Sequence, residues 1–242
     1  MIKSVFGRLV SIWFALFLIS GCLLLMPFFW ILIGIGSKKT LNAAHFLNRA
    51  WAFFITIPSF IFINKKLLFK LRKNKKYIFV GNHQSYLDIP VCLIALPVSF
   101  RFIGKAELGK IPFFGWMYNR LYITVDRSSR IDAFRSTQKA ADELKKGNSL
   151  VIFAEGGIPK NHVTLGPFKR GAFKLAFDQQ VDIVPFVIKD IKKVLNSDGK
   201  WLLFPGLITV KILEPISISD YKEENLPELI EQTRERILNE LK

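Results

Sequence analysis

His83 is one of three histidines in 242 residues, beside His45 and His162, and an aspartate follows it five positions on in the run Gly81-Asn82-His83-Gln84-Ser85-Tyr86-Leu87-Asp88. An imidazole oriented by a carboxylate takes a proton from a hydroxyl, which is general-base chemistry. Within a regular helix, two positions five apart sit ~140° from each other around the axis, so these side chains would not meet. They meet if His83 occupies a strand-to-helix turn. Ser85 and Asp88 fit a capping box, with Ser85 as N-cap and Asp88 at N3, and that leaves His83 in the turn. A second reading of the spacing stands beside the first: Asp88 only caps a helix and His83 is an ordinary turn residue. No Cys or other His lies at ligand spacing, so a metal site is not expected. Cys22 lies in an apolar segment, Cys92 in the apolar run VCLIAL, and Ser85 has a capping task. Direct attack by an activated substrate hydroxyl is therefore the economical mechanism, without a protein nucleophile. His162 is a weaker base because no acid stands immediately beside it.

The elements that must hold this turn show as short apolar runs. YIFVG (77–81), FRFIG (100–104), LYITV (121–125), SLVIFA (149–154), DIVPFVI (182–188) and LITVKIL (207–213) alternate with helix-like stretches near 86–96, 106–119, 131–146, 169–180 and 225–241. This alternation predicts an α/β fold, a mixed and largely parallel sheet flanked by helices. Residues 77–242 are enough for one such core. Asn82–Asp88 then falls at the carboxyl end of a strand, where open α/β sheets bind ligands.

Ahead of that domain the composition changes. Leu9 to Ser37 carries no charge over 29 positions, a helix of ~43 Å against a hydrocarbon core of ~30 Å. A cleaved signal peptide would have an apolar run about half as long. Gly21 and Pro27 interrupt the pattern, which predicts a kinked or re-entrant helix as readily as a straight span. Ala50 to Asn64 is a second uncharged stretch, short for a span unless Arg49 snorkels, and reads best as interfacial or re-entrant. Residues 1–64 thus predict a membrane-anchoring helical hairpin ahead of the sheet. Residues 65–76, KKLLFKLRKNKK, hold seven cations and no anion. Such a run reads as cytoplasmic and lies against anionic headgroups. Because it directly follows membrane-grade sequence, lipid is the expected partner and nucleic acid is not.

The charge balance agrees. Net charge is +16, and twelve of the 35 Lys and Arg precede Asp88, the first acid in the chain; the remaining 23 nearly balance the 19 acids. A mean hydropathy of +0.28 with this much charge describes an apolar segment joined to an ordinary charged domain. The 23 Phe and 5 Trp exclude intrinsic disorder, and two Cys exclude a disulfide framework.

Asn82-His83-x4-Asp88 resembles the NHx4D signature of the glycerolipid acyltransferases, with the bacterial enzymes that acylate 1-acylglycerol 3-phosphate as the best match. Lys105-Ala-Glu107-Leu108 followed by Ile111-Pro112-Phe-Phe-Gly115 resembles the family's K-x-E-L-x-x-I-P-x-x-G block. Tyr122 to Arg127, Glu155-Gly156-Gly157, Phe168-Lys-Arg-Gly171-Ala172-Phe173 and Val184-Pro185 resemble later blocks in order and spacing. The resemblance covers about Tyr77 to Ile188. It implies acyl transfer from a thioester co-substrate, acyl carrier protein or coenzyme A, to the hydroxyl of lysophosphatidate, with no other cofactor and no metal. His83 would be the base and Asp88 its orienting partner; Lys105, Arg127, Glu155, Gly156 and Gly157 would bind the acceptor. It also implies a bacterial inner membrane with the active site on the cytoplasmic side. One departure stands out. The family's third block usually reads E-G-T-R-S, whereas this chain has Ile158 after Gly157. A buried phosphate needs a cation, and Lys105 and Arg127 are the first candidates, ahead of Lys160 and Lys169. The same departure fits another acceptor, a lyso-aminolipid or glycerol 3-phosphate. A non-catalytic membrane-anchored binding module is the reading from another class.

Overall fold

The computed structural model describes residues 2–72, 75–111, 114–126, 129–159, 164–197 and 200–242. Its chain divides into two compact units, each discontinuous in sequence. Met1–Lys66, His83–Pro97 and Ile188–Lys211 form one; Leu67–Asn82, Val98–Val187 and Ile212–Lys242 form the other.

The first unit begins with α1 (Ile2–Ile35), 34 residues that are long and apolar enough to cross a membrane. The helix runs through Pro27 without interruption. Gly21, which the sequence reads as a breaker, is buried instead. A Cβ there would come within 2.9 Å of the Phe54 ring and 3.0 Å of Trp51. The missing side chain lets α1 approach α2 (Lys38–Thr56), the usual service of a small residue between apolar helices. Gly36, at φ +68, takes the left-handed conformation that ends α1. Ser37 then caps α2 by accepting a hydrogen bond from Thr40 N. Beyond Pro58 the chain forms β1 (Ile61–Leu67), a strand where the sequence reads only the end of an apolar stretch and the start of a basic run. Its inward residue Ile61 is buried and Lys65 and Lys66 are exposed, as suits the charged edge of a sheet.

The chain continues as β2 (Ile78–Gly81), α3 (Asp88–Ala95), β3 (Phe100–Lys105), α4 (Phe114–Leu121), β4 (Ile123–Val125), α5 (Arg130–Lys145), β5 (Ser149–Ile152), α6 (Gly171–Asp178), β6 (Ile183–Lys189), α7 (Ile191–Val194), β7 (Gly206–Ile212) and α8 (Leu226–Leu241). Each of the six apolar runs forms a strand. Among the described residues, β1 neighbours β7 in the first unit, and the strands of the second run in the order β6-β2-β5-β3-β4. β2 pairs in parallel with β5 and β6, and β3 pairs in parallel with β5 and β4. All of β2 is buried, which explains its unbroken apolar sequence. In the second unit Ile78, Val80, Leu150, Phe173, Leu226 and Ile237 belong to one core cluster, which packs helical side chains against the sheet. β2 stops on a glycine because a Cβ at Gly81 would lie 2.3 Å from the Phe186 ring on β6.

Candidate active site

The strand-to-helix turn after β2 brings His83 and Asp88 together. His83 Nδ1 lies 2.6 Å from Asp88 Oδ2, with the carboxylate fully buried and the imidazole 17% exposed. The same Oδ2 accepts the backbone N–H groups of Gln84 at 2.7 Å and Ser85 at 3.0 Å. Asp88 Oδ1 is buried without a hydrogen-bond partner. Two backbone amides and the ring therefore converge on one carboxylate oxygen, and the carboxylate fixes the proton on Nδ1. That tautomer puts the basic lone pair on Nε2.

The turn is not the capping box that the sequence predicts: Leu87, not Ser85, is the N-cap, and it makes no side-chain cap bond. α3 begins at Asp88. The Asp88 carboxylate makes the return bond to Ser85 N, as a capping box requires, but the Ser85 hydroxyl accepts from Leu87 N at 3.3 Å. It also donates to Leu195 O at 2.9 Å, while Tyr86 N donates to Ser197 Oγ at 3.3 Å. Residues 195–197 thus strap the turn from behind. A partner 110 residues away leaves no local trace in the sequence.

α3 is also held from its far end. Arg49 on α2 donates from Nε to Leu93 O at 2.7 Å and from Nη2 to Leu96 O at 2.5 Å. The guanidinium closes the last turn of α3 and complements its dipole, so it does not reach outward to a headgroup. Leu93 and Leu96 are fully buried, so removing the arginine takes a donor from each of their carbonyls. Arg49→Met should lower stability by about 1–3 kcal/mol and slow turnover without abolishing it. Thermal melts and rates measured in parallel check this; an unchanged melting temperature would contradict the cap.

Cys92 sits on the buried side of α3. Burial first, and the Asp88 charge second, push its thiol well above the ordinary cysteine range. The folded state keeps the proton while the unfolded chain loses it above about pH 8.5. This contribution to stability is complete below that pH and declines as pH rises, by about 1.4 kcal/mol per unit until the folded thiol ionises. Wild type should therefore lose more stability than Cys92→Ala between pH 8 and 10. Parallel denaturation at the two pH values measures it, and equal losses would refute it.

In the second unit Glu155, Gly156 and Gly157 follow β5 and line a cavity of about 330 Å³ with Ile158, Pro159, Gly166 and Pro167. Glu155 Oε2 accepts Gly166 N at 2.6 Å, which brackets the far wall. Gly156 has φ +77, and a Cβ there would lie 2.6 Å from Lys169 Cε and 2.7 Å from Nζ. Glycine suits this conformation, which L side chains rarely adopt. Lys169 is anchored by its own N–H to Ala154 O at 2.8 Å. Lys105 does not line this cavity. It is exposed and ion-paired with Glu107 at 3.0 Å, and its hydrogen bond holds the Glu107 carboxyl below the usual range. Arg127 lies outside the described residues, as do Lys160 and His162. Among the described residues no three His, Cys, Asp or Glu side chains gather as a metal site would need.

His83 held by the buried Asp88 carboxylate in the turn after β2 is the geometry that an α/β fold of this kind sets against its relatives. The acyltransferase family model matches residues 62–189. The chain is 34% identical over 177 residues to the chloroplastic 1-acyl-sn-glycerol-3-phosphate acyltransferase of Arabidopsis thaliana, covering 71% of this chain and 48% of that protein. It is 33% identical over 173 residues to the 1-acyl-sn-glycerol-3-phosphate acyltransferase of Saccharomyces cerevisiae, covering 69% and 56%. It spans about half the length of these curated relatives. The fold is similar to the crystal structure of the 1-acyl-sn-glycerophosphate acyltransferase PlsC from Thermotoga maritima, with TM-score 0.79 and 23% identity over 97% of this chain and 95% of that one. The chain belongs to the acyltransferase family.

Proposed function

We propose that the chain is a membrane-anchored enzyme that moves an acyl group from acyl carrier protein or coenzyme A to the hydroxyl of 1-acylglycerol 3-phosphate, forming phosphatidate. The observation that carries this reading is the 2.6 Å pairing of His83 Nδ1 with the buried Asp88 carboxylate. His83 Nε2 takes the hydroxyl proton as the oxygen bonds to the thioester carbon. The tetrahedral oxyanion then collapses, the C–S bond breaks, and the thiolate leaves with the proton from the imidazolium. Asp88 stabilises that imidazolium, and such a base is worth about 10²–10⁴ in rate. Glu155, Gly156 and Gly157, which line one cavity, bind the acceptor. α1 anchors the chain in a bacterial inner membrane, with the chemistry on the cytoplasmic side. That two relatives are 1-acyl-sn-glycerol-3-phosphate acyltransferases supports the acceptor.

Ile158 favours a second reading, the same chemistry on a lyso-aminolipid or glycerol 3-phosphate. It sits in the lining of the Glu155–Gly157 cavity at the position where the resemblance expects an arginine. The test is acylation in detergent micelles of all three acceptors with each donor, products separated by mass spectrometry. Phosphatidate as the main product supports the first reading. Acylation of another acceptor alone assigns that acceptor, and no acylation of any of them rejects the enzyme reading.

A further inference from the structure

Four lysines surround a cavity of about 690 Å³ within the first unit: Lys3 on α1, Lys192 and Lys193 on α7, and Lys200 before β7. Leu202 and Phe204 form its apolar floor, and the Asn196 amide lies on its rim. None of these residues belongs to the His83–Asp88 turn. The cavity is built by close packing. A Cβ at Gly7 would lie 2.8 Å from the Phe204 ring, and Lys3 Nζ lies 5.7 Å from that ring's centroid. Ser11 donates to Trp201 O at 2.6 Å and accepts from Leu203 N at 2.9 Å, which pins the segment to α1. Lys193 pairs with Asp190 at 2.7 Å. Asp198 lies outside the described residues.

The surroundings of this cavity identify its occupant. The same end of α1 exposes Ile2, Val5, Phe6 and Leu9. Tyr86 and Trp201, both more than half exposed, stack with centroids 5.0 Å apart. Exposed apolar helix beside amphipathic aromatic rings is the composition of a bilayer interface. A concave cluster of cations at that level matches a lipid phosphate, and the exposed helix face offers a path for its acyl chains. An acidic protein would meet an open convex patch, and a free anion would gain nothing from the Leu202–Phe204 floor.

We propose that this cavity binds the phosphate headgroup of an anionic bilayer phospholipid. The test uses the whole protein in dodecyl maltoside micelles, titrated with dioctanoyl phosphatidylglycerol or dioctanoyl phosphatidylcholine, with bound lipid counted by native mass spectrometry. The readout is independent of acyl transfer. Wild type should prefer phosphatidylglycerol by about tenfold or more, and Lys3→Gln/Lys192→Gln/Lys200→Gln should remove most of that preference. The corresponding triple arginine variant should keep it. Should the glutamine triple fail to fold, single Lys200→Gln should still weaken phosphatidylglycerol severalfold, and an unchanged affinity would overturn the proposal. Equal binding of the two lipids, or unchanged preference in the folded triple variant, overturns it. Displacement of the lipid by millimolar inorganic phosphate would reassign the cavity to a free anion, and displacement by acyl carrier protein would reassign it to that partner; either result overturns the lipid site.

Discussion

His83→Ala should lower acyl transfer by about 10³-fold or more while leaving the melting temperature within about a degree of wild type. The rate effect follows from losing the base that takes the hydroxyl proton, and from losing the acid that returns it to the departing thiolate. The small stability effect follows from the setting. Asp88 keeps both backbone donors, Gln84 N and Ser85 N, when the imidazole is removed. The carboxylate would lose one partner of three and remain hydrogen-bonded. The measurement is single-turnover acyl transfer beside a thermal melt of the same sample. A variant that folds and retains a tenth of wild-type activity would exclude His83 as the base.

Asp88 should separate by substitution in a way His83 does not. Asp88→Asn keeps an oxygen able to accept from Gln84 N, Ser85 N and the ring, so the turn should fold. It removes the charge that stabilises the imidazolium, and turnover should fall by about 10²–10⁴. Asp88→Ala leaves two buried backbone donors without an acceptor, at about 1–3 kcal/mol each. That variant should lose both activity and several degrees of melting temperature. Similar melts for the alanine and asparagine variants would show that the carboxylate does not brace the turn. An active asparagine variant would show that its charge is dispensable.

The parts legible in the sequence are those whose partners are local or repeated. β2 and β6 are buried almost throughout and read as continuous apolar runs, so their type followed from composition alone. The His83–Asp88 pair was legible because the turn that joins them is contained within six residues. β1 was not, since an exposed edge strand carries lysines and lacks the apolar signature. Gly21 and Arg49 were read by their intrinsic habits, as a breaker and a snorkelling cation. Each is instead explained by a helix the sequence does not place beside it: Gly21 by Trp51 and Phe54, Arg49 by the carbonyls of Leu93 and Leu96. The Ser85–Leu195 bond lay beyond reach for the same reason.

Arg49 has a bearing on inheritance and engineering. Membrane tethers are commonly treated as interchangeable luggage, fit to be cut away for solubility or exchanged between relatives. Here the helix that would be discarded holds the last turn of the helix whose first residue pairs with His83. A chain relieved of its first 64 residues would lose Arg49 and with it the two bonds that close the last turn of α3. A foreign tether would restore attachment without restoring that grip. Under the proposed function, α2 and the turn that carries His83 would therefore have to be transplanted as one piece.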